Sequence, residues 1–114
     1  MSERLVQLEE LLKESPTDPF LHYAITMEHV KLGDDSKSKQ GFENLVREFP
    51  NYLGTYYHFG KFLEKTGETS RAITIYEQGM ELAKSLRNMH ALGELRGAHA
   101  FASGFDDEND EDFL

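Results

Sequence analysis

The chain repeats itself at an interval of 34 residues. Ser2, Ser36 and Ser70 fall in register, as do Glu9, Glu43 and Glu77, and the same interval joins Pro16 to Pro50, Tyr23 to Tyr57, Lys31 to Lys65 and Gly33 to Gly67. A fixed period of that length marks stacked supersecondary units, none of which can bury its apolar face alone. The expected product is a short solenoid with a binding surface.

Within each period the apolar spacing is helical. Leu5, Leu8, Leu11 and Leu12 share one side of residues 3–14, opposite Glu9, Glu10, Lys13 and Glu14, and Ser2 is the expected N-cap. Pro16 and Pro19 then break the chain, with Asp18 placed to cap a second helix that starts at Pro19 and stops near Gly33. A third helix is expected from a Ser36 cap to Pro50, carrying Phe42, Leu45, Val46 and Phe49 inward, and a fourth from Tyr52 to Thr66. Ser70 is the expected cap of a fifth, in which Ile73, Tyr76, Met80, Ala83 and Leu86 recur at helical spacing. Lys84 stands where the period would place a proline, so this helix is expected to run longer than its counterparts. A sixth spans 88–103, where Gly93 and Gly97 each cost about 1 kcal/mol against alanine and call for packing support.

Helix, turn, helix at this period resembles the tetratricopeptide repeat, whose pattern is Trp-x2-Leu-Gly-x2-Tyr, then Ala-x3-Phe, then Pro. The first full unit reads His22-x2-Ile25-Thr26-x2-His29, Ser38-x3-Phe42 and Pro50; the second reads Tyr56-x2-Phe59-Gly60-x2-Leu63 and Ala72-x3-Tyr76. Residues 2–16 resemble the second helix of a preceding unit, and Met89-x2-Leu92-Gly93-x2-Arg96 the first helix of a following one. Small residues at Thr26, Gly60, Ser38 and Ala72 let paired helices approach, and Phe42 and Tyr76 fill the space between them. His22, His29 and Gly41 depart from the pattern. The resemblance implies an all-α fold: a right-handed helical-hairpin solenoid of about six antiparallel helices, two full units with flanking half-units. It covers residues 2 to about 103 and implies a repeat domain of residues 1–105, leaving 106–114 as an acidic tail expected to be disordered.

What the resemblance implies for function is protein–protein interaction without catalysis. The first helix of each unit would line a concave groove that holds a peptide or helix of a partner protein. This places Phe20, Tyr23, Met27 and Lys31 on the first inner helix, Tyr57, Lys61, Glu64 and Lys65 on the second, with His58 beside Tyr57 at the groove edge, and His90 and Glu94 on the third. Tyr23, Met27 and Tyr57 occupy positions where a clamp for a C-terminal carboxylate would need polar or basic groups, so no such clamp is expected. On the last helix Phe101 falls opposite Leu92 and Leu95, and Phe105 follows one turn later. Those two rings, or the open ends of a short array, give an alternative reading as a self-associating structural protein, a homodimer.

Composition narrows the other classes. The net charge of -9 is mostly a tail property, because residues 106–112 carry six acidic side chains and leave fifteen acidic against twelve basic in residues 1–105. No Lys/Arg stripe is present to neutralise phosphates or headgroups, so neither nucleic acid nor membrane is an expected partner. With no cysteine there is no thiol nucleophile or disulfide. The charged start, Met1-Ser2-Glu3-Arg4-Leu5, runs into an amphipathic stretch instead of an apolar one, and a cytoplasmic location is expected. No Gly-rich phosphate loop, Gly-x-Ser-x-Gly or His-Glu-x-x-His occurs. His22 and His29 sit at packing positions of the repeat, and His90 with Glu94 supplies two ligands where a stable metal site needs more. No enzyme activity, cofactor or metal is expected.

Overall fold

A computed structural model of the chain describes residues 2–104. Phe105 and the acidic segment 106–114, for which disorder was expected, lie outside the described residues. The chain divides into two compact units, Met1–Thr55 and Tyr56–Leu114. Six helices follow one another among the described residues: α1 (Glu3–Glu14), α2 (Pro19–Lys31), α3 (Asp35–Glu48), α4 (Gly54–Lys65), α5 (Thr69–Ser85) and α6 (Met89–Ala102). No strand occurs among the described residues, so the fold is an all-α helical repeat.

In the first unit α1 packs on α2 and α2 on α3. Ser2 caps α1 as expected, its Oγ accepting from the Leu5 N–H at 2.9 Å, and Asp18 caps α2 with Pro19 in the first turn. The cap of α3 is Asp34, not Ser36: its carboxylate accepts from the Lys37 N–H at 3.0 Å. An aspartate two residues earlier accepts that bond with a full charge at the positive end of the helix, so the helix begins before the serine. Leu8, Leu21 and Ala24 form the centre of this unit, with Leu12 and Ile25 against them, and Phe42 and Leu45 are fully buried. Leu11, expected inward, is 50% exposed.

The second unit is built around α5, which packs on α6. Phe59, Leu63, Ala72, Tyr76 and Ala83 are fully buried there, and Leu92 and Leu95 nearly so. Each large side chain removed from water in this way contributes about 1.5–3 kcal/mol before its ordering entropy is charged. The expected Ser70 cap is not used; α5 starts at Thr69 after Glu68, which makes no side-chain cap bond. Ile75 is buried where Ile73 was expected, and Leu86 is 54% exposed at the helix end. At 17 residues α5 exceeds α3, at 14, as the missing proline implied. The turn after it puts Arg87 at φ 57°, a left-handed conformation held by glycine at the turns after α2 and α4.

Candidate functional site

The side chains expected to bind a partner fall on both units. In the first, Phe20 is 52% exposed at the start of α2, Tyr23 and Met27 are half-buried, and Lys31 is exposed in the last turn. The Tyr23 ring lies 5.6 Å from that of Tyr52, a neighbour the sequence did not single out. Burial, with Tyr52 adding to it, pushes the Tyr23 hydroxyl above its ordinary range, so it is a neutral hydrogen-bonding group at any physiological pH.

In the second unit the expected residues are drawn together by ring and charge contacts. Tyr57 and Lys61 are one turn apart on α4, and the Lys61 ammonium stands 5.6 Å from the centroid of the Tyr57 ring. It also stands 5.9 Å from the ring of Phe101 on α6, which is 68% exposed. Phe101 was assigned from sequence to a separate self-association surface; here its ring shares a lysine with Tyr57. His58 meets Tyr57 edge-on at 5.3 Å. Burial lowers the His58 pKa, while the carboxylate of Glu94 on α6 opposes that shift. Glu94 also faces His90 across 3.6 Å on the exposed side of α6.

Glu64, one turn beyond Lys61, is half-buried and accepts a hydrogen bond from the hydroxyl of Tyr76 on α5. Tyr76 is fully buried, and burial first, then that bond and the nearby carboxylate, push its pKa far above the ordinary tyrosine range. Sequence reasoning placed Glu64 on the inner face and Tyr76 in the core without connecting them. The signal available was chemical: a tyrosine at a fully buried packing position needs a partner for its hydroxyl.

Two further arrangements escaped the sequence. Glu28 of α2 is only 6% exposed; the Ser2 hydroxyl donates to it at 2.9 Å and Arg4 approaches at 3.8 Å. His99 Nε2 on α6 donates to Glu77 on α5 at 3.0 Å, so one member of the repeated glutamate row ties two helices together. His22, a departure from the repeat pattern, is a structural residue: Nε2 donates to the Pro16 carbonyl at 2.7 Å and the ring packs 5.1 Å from Phe49. With His29, Lys37, Gln40 and Asn44 it borders an open cavity of about 340 Å³ in the first unit. Among the described residues no three His, Cys, Asp or Glu side chains converge on a metal-sized space, and no helix is long and apolar enough to cross a membrane.

Comparison with solved structures returns helical repeats. The crystal structure of a tetratricopeptide repeat domain protein from Salinibacter ruber is 42% identical and superposes with a TM-score of 0.74 over 77% of this chain and 99% of its own. The solution structure of a tetratricopeptide repeat domain protein from the same organism gives 41% identity and a TM-score of 0.75 over 81% and 93%. A protein from Bordetella parapertussis, 18% identical over 93% of this chain and 92% of its own, shares the fold at a TM-score of 0.77. No family model matches the sequence, and no curated protein does.

Proposed function

Because the chain belongs to the tetratricopeptide repeat family, we propose that it is a non-catalytic interaction module that binds a peptide or helix of a partner protein on its inner-helix faces. One observation carries this reading: the Lys61 ammonium stands 5.6 Å from the half-buried Tyr57 ring on α4 and 5.9 Å from the exposed Phe101 ring on α6. Solvated aromatic faces organised by a lysine offer contact area at low entropic cost, the chemistry that anchors protein interfaces. His58, Glu64, His90 and Glu94 provide polar groups around them. The same reading assigns Phe20, Tyr23, Met27 and Lys31 of the first unit to recognition. It takes residues 1–105 as the binding domain, 106–114 as an appended acidic tail, and the cytoplasm as the location.

A second reading is self-association through the last helix, favoured by the exposure of Met89 at 66% and Phe101 at 68%. The two are separated by affinity capture with the full chain and its Tyr57→Ala variant, checked for equal helicity, together with light scattering over a range of concentrations. A protein retained by the native chain and lost by the variant supports the groove. Equal retention by both rejects it, and a concentration-dependent mass without a captured partner replaces it with self-association.

A further inference from the structure

Glu64 is held in place but has no cationic partner among the described residues. Its one described partner is the Tyr76 hydroxyl. Lys61 stands three residues before it, at a spacing that serves intrahelical ion pairs, yet the ammonium is drawn instead to the rings of Tyr57 and Phe101. Lys65 is exposed and makes no ion pair with Glu64. Neither neighbouring lysine of α4 neutralises it, and a half-buried carboxylate is left held by the Tyr76 hydroxyl.

The first repeat supplies an internal comparison. In register with Glu64 and Tyr76 it has Val30 and Phe42, both apolar, and Phe42 fills its place with no exposure at all. Packing thus requires only a large ring at this position. The hydroxyl of Tyr76 and the carboxylate of Glu64 are an addition of the second repeat, and a buried hydroxyl is costly unless bonded. What the pair provides beyond packing is a half-buried carboxylate with one oxygen bonded, two turns along α4 from Tyr57, whose ring together with that of Phe101 already attracts an ammonium.

We propose that Glu64, positioned by Tyr76, is the acceptor for a lysine or arginine side chain of the bound protein segment. The inference rests on the groove reading above and narrows it to a partner segment with a basic residue set beside the Tyr57 and Phe101 rings. An arginine suits the site best, since its planar head can bond a carboxylate and lie against an aromatic face together.

An array of random octapeptides, acetylated and amidated so that only side chains carry charge, tests this with the full-length chain. Retained peptides should be enriched in arginine or lysine at one position. Individually measured, they should bind Glu64→Gln about tenfold more weakly, the loss of one charge-assisted bond, and exchanging the peptide's basic residue for glutamine should cost the native chain the same factor and Glu64→Gln nothing further. Tyr76→Phe keeps the ring and should shrink, without abolishing, the penalty for that exchange. Glu81→Gln, an exposed acid paired with Lys84 on α5, should bind as the native chain does. Retention of peptides without basic enrichment, native-like binding by Glu64→Gln, or an equal loss in Glu81→Gln would overturn the assignment; if Tyr57→Ala then still loses binding, the groove reading survives. Retention of no peptide at all would reject both.

Discussion

Gly60 and Tyr76 are fitted to one another: a Cβ at residue 60 would lie 2.1 Å from the Tyr76 ring. The first repeat meets the same close approach with the roles exchanged. Thr26 stands in the register of Gly60, and Gly41 makes room for it, since a Cβ at 41 would come within 2.2 Å of the Thr26 Oγ1. Ile75 occupies the register of Gly41 in the second repeat and is buried. Each helix pair therefore carries one glycine at the crossing, on opposite partners. Gly60→Ala should destabilise the protein by about 2 kcal/mol, within the range for overpacking a dense core. Gly93→Ala, where the added methyl meets open space, should instead stabilise it by about 0.5–1 kcal/mol. Urea titrations followed by circular dichroism compare the two; equal effects would remove the packing argument.

Arg87 carries the left-handed turn after α5 that glycines carry after α2 and α4. A side chain pays for φ 57° through contact of its Cβ with the backbone, a cost of about 1 kcal/mol that glycine does not incur. Arg87→Gly should raise the unfolding midpoint by an amount equivalent to about 0.5–1 kcal/mol after allowing for the greater freedom of the unfolded chain. Thermal denaturation at fixed concentration measures it, and a lower midpoint would contradict the turn assignment.

The hydroxyl of Thr55 is fully buried and has no hydrogen-bond partner among the described residues. Thr55→Val keeps the shape and removes an unsatisfied polar atom, so it should stabilise by about 1 kcal/mol. Thr55→Ser keeps the hydroxyl while losing a methyl group and should destabilise. Guanidinium titrations of the pair would reverse this order if the hydroxyl were bonded.

Ser2 has two tasks, accepting from the Leu5 N–H and donating to the buried Glu28. Ser2→Ala should therefore cost more than the ~1 kcal/mol of an ordinary cap, about 1.5–2 kcal/mol. In the Glu28→Gln background, where no full charge awaits the lost donor, the same substitution should cost less. A double-mutant cycle reads the difference, and additivity would show the two residues to be uncoupled.

His58 makes stability depend on mild acid. Its pKa in the folded chain is lowered by burial, so below the unfolded value of about 6.5 the unfolded chain binds more protons. The sign follows: this group costs nothing well above pH 6.5, and stability falls as pH drops through 6.5 toward the lowered folded value. His58→Gln should lose less stability than the native chain between pH 7.5 and pH 5. Glu94→Gln removes the charge that opposes the shift and should lose more. Urea midpoints at the two pH values check both, and identical profiles would exclude His58 as the source.

How much of this was legible beforehand follows from which forces act locally. The α1 cap by Ser2 and the α2 cap by Asp18 with Pro19 involve atoms within a turn of each other, and the sequence placed them correctly. The Ser36 and Ser70 caps failed because Asp34 competes for one helix start and α5 begins without a side-chain cap. Phe101 was separable from the α4 residues in sequence because nothing in α6 alone shows that Lys61 reaches across to it. Glu28 reads as a surface residue until one notices that its register partner, Phe62, is buried.

The sequence by itself determined the repeat, the number and order of the helices and the family, because a 34-residue period of apolar and small residues is a local pattern repeated. Tertiary structure decided which polar groups became partners. Tyr76 with Glu64, Ser2 with Glu28 and His99 with Glu77 are 12, 26 and 22 residues apart. The physical reason is range: helical periodicity is set by bonds four residues long, whereas a hydrogen bond to a buried charge depends on which side chains packing brings within about 3 Å.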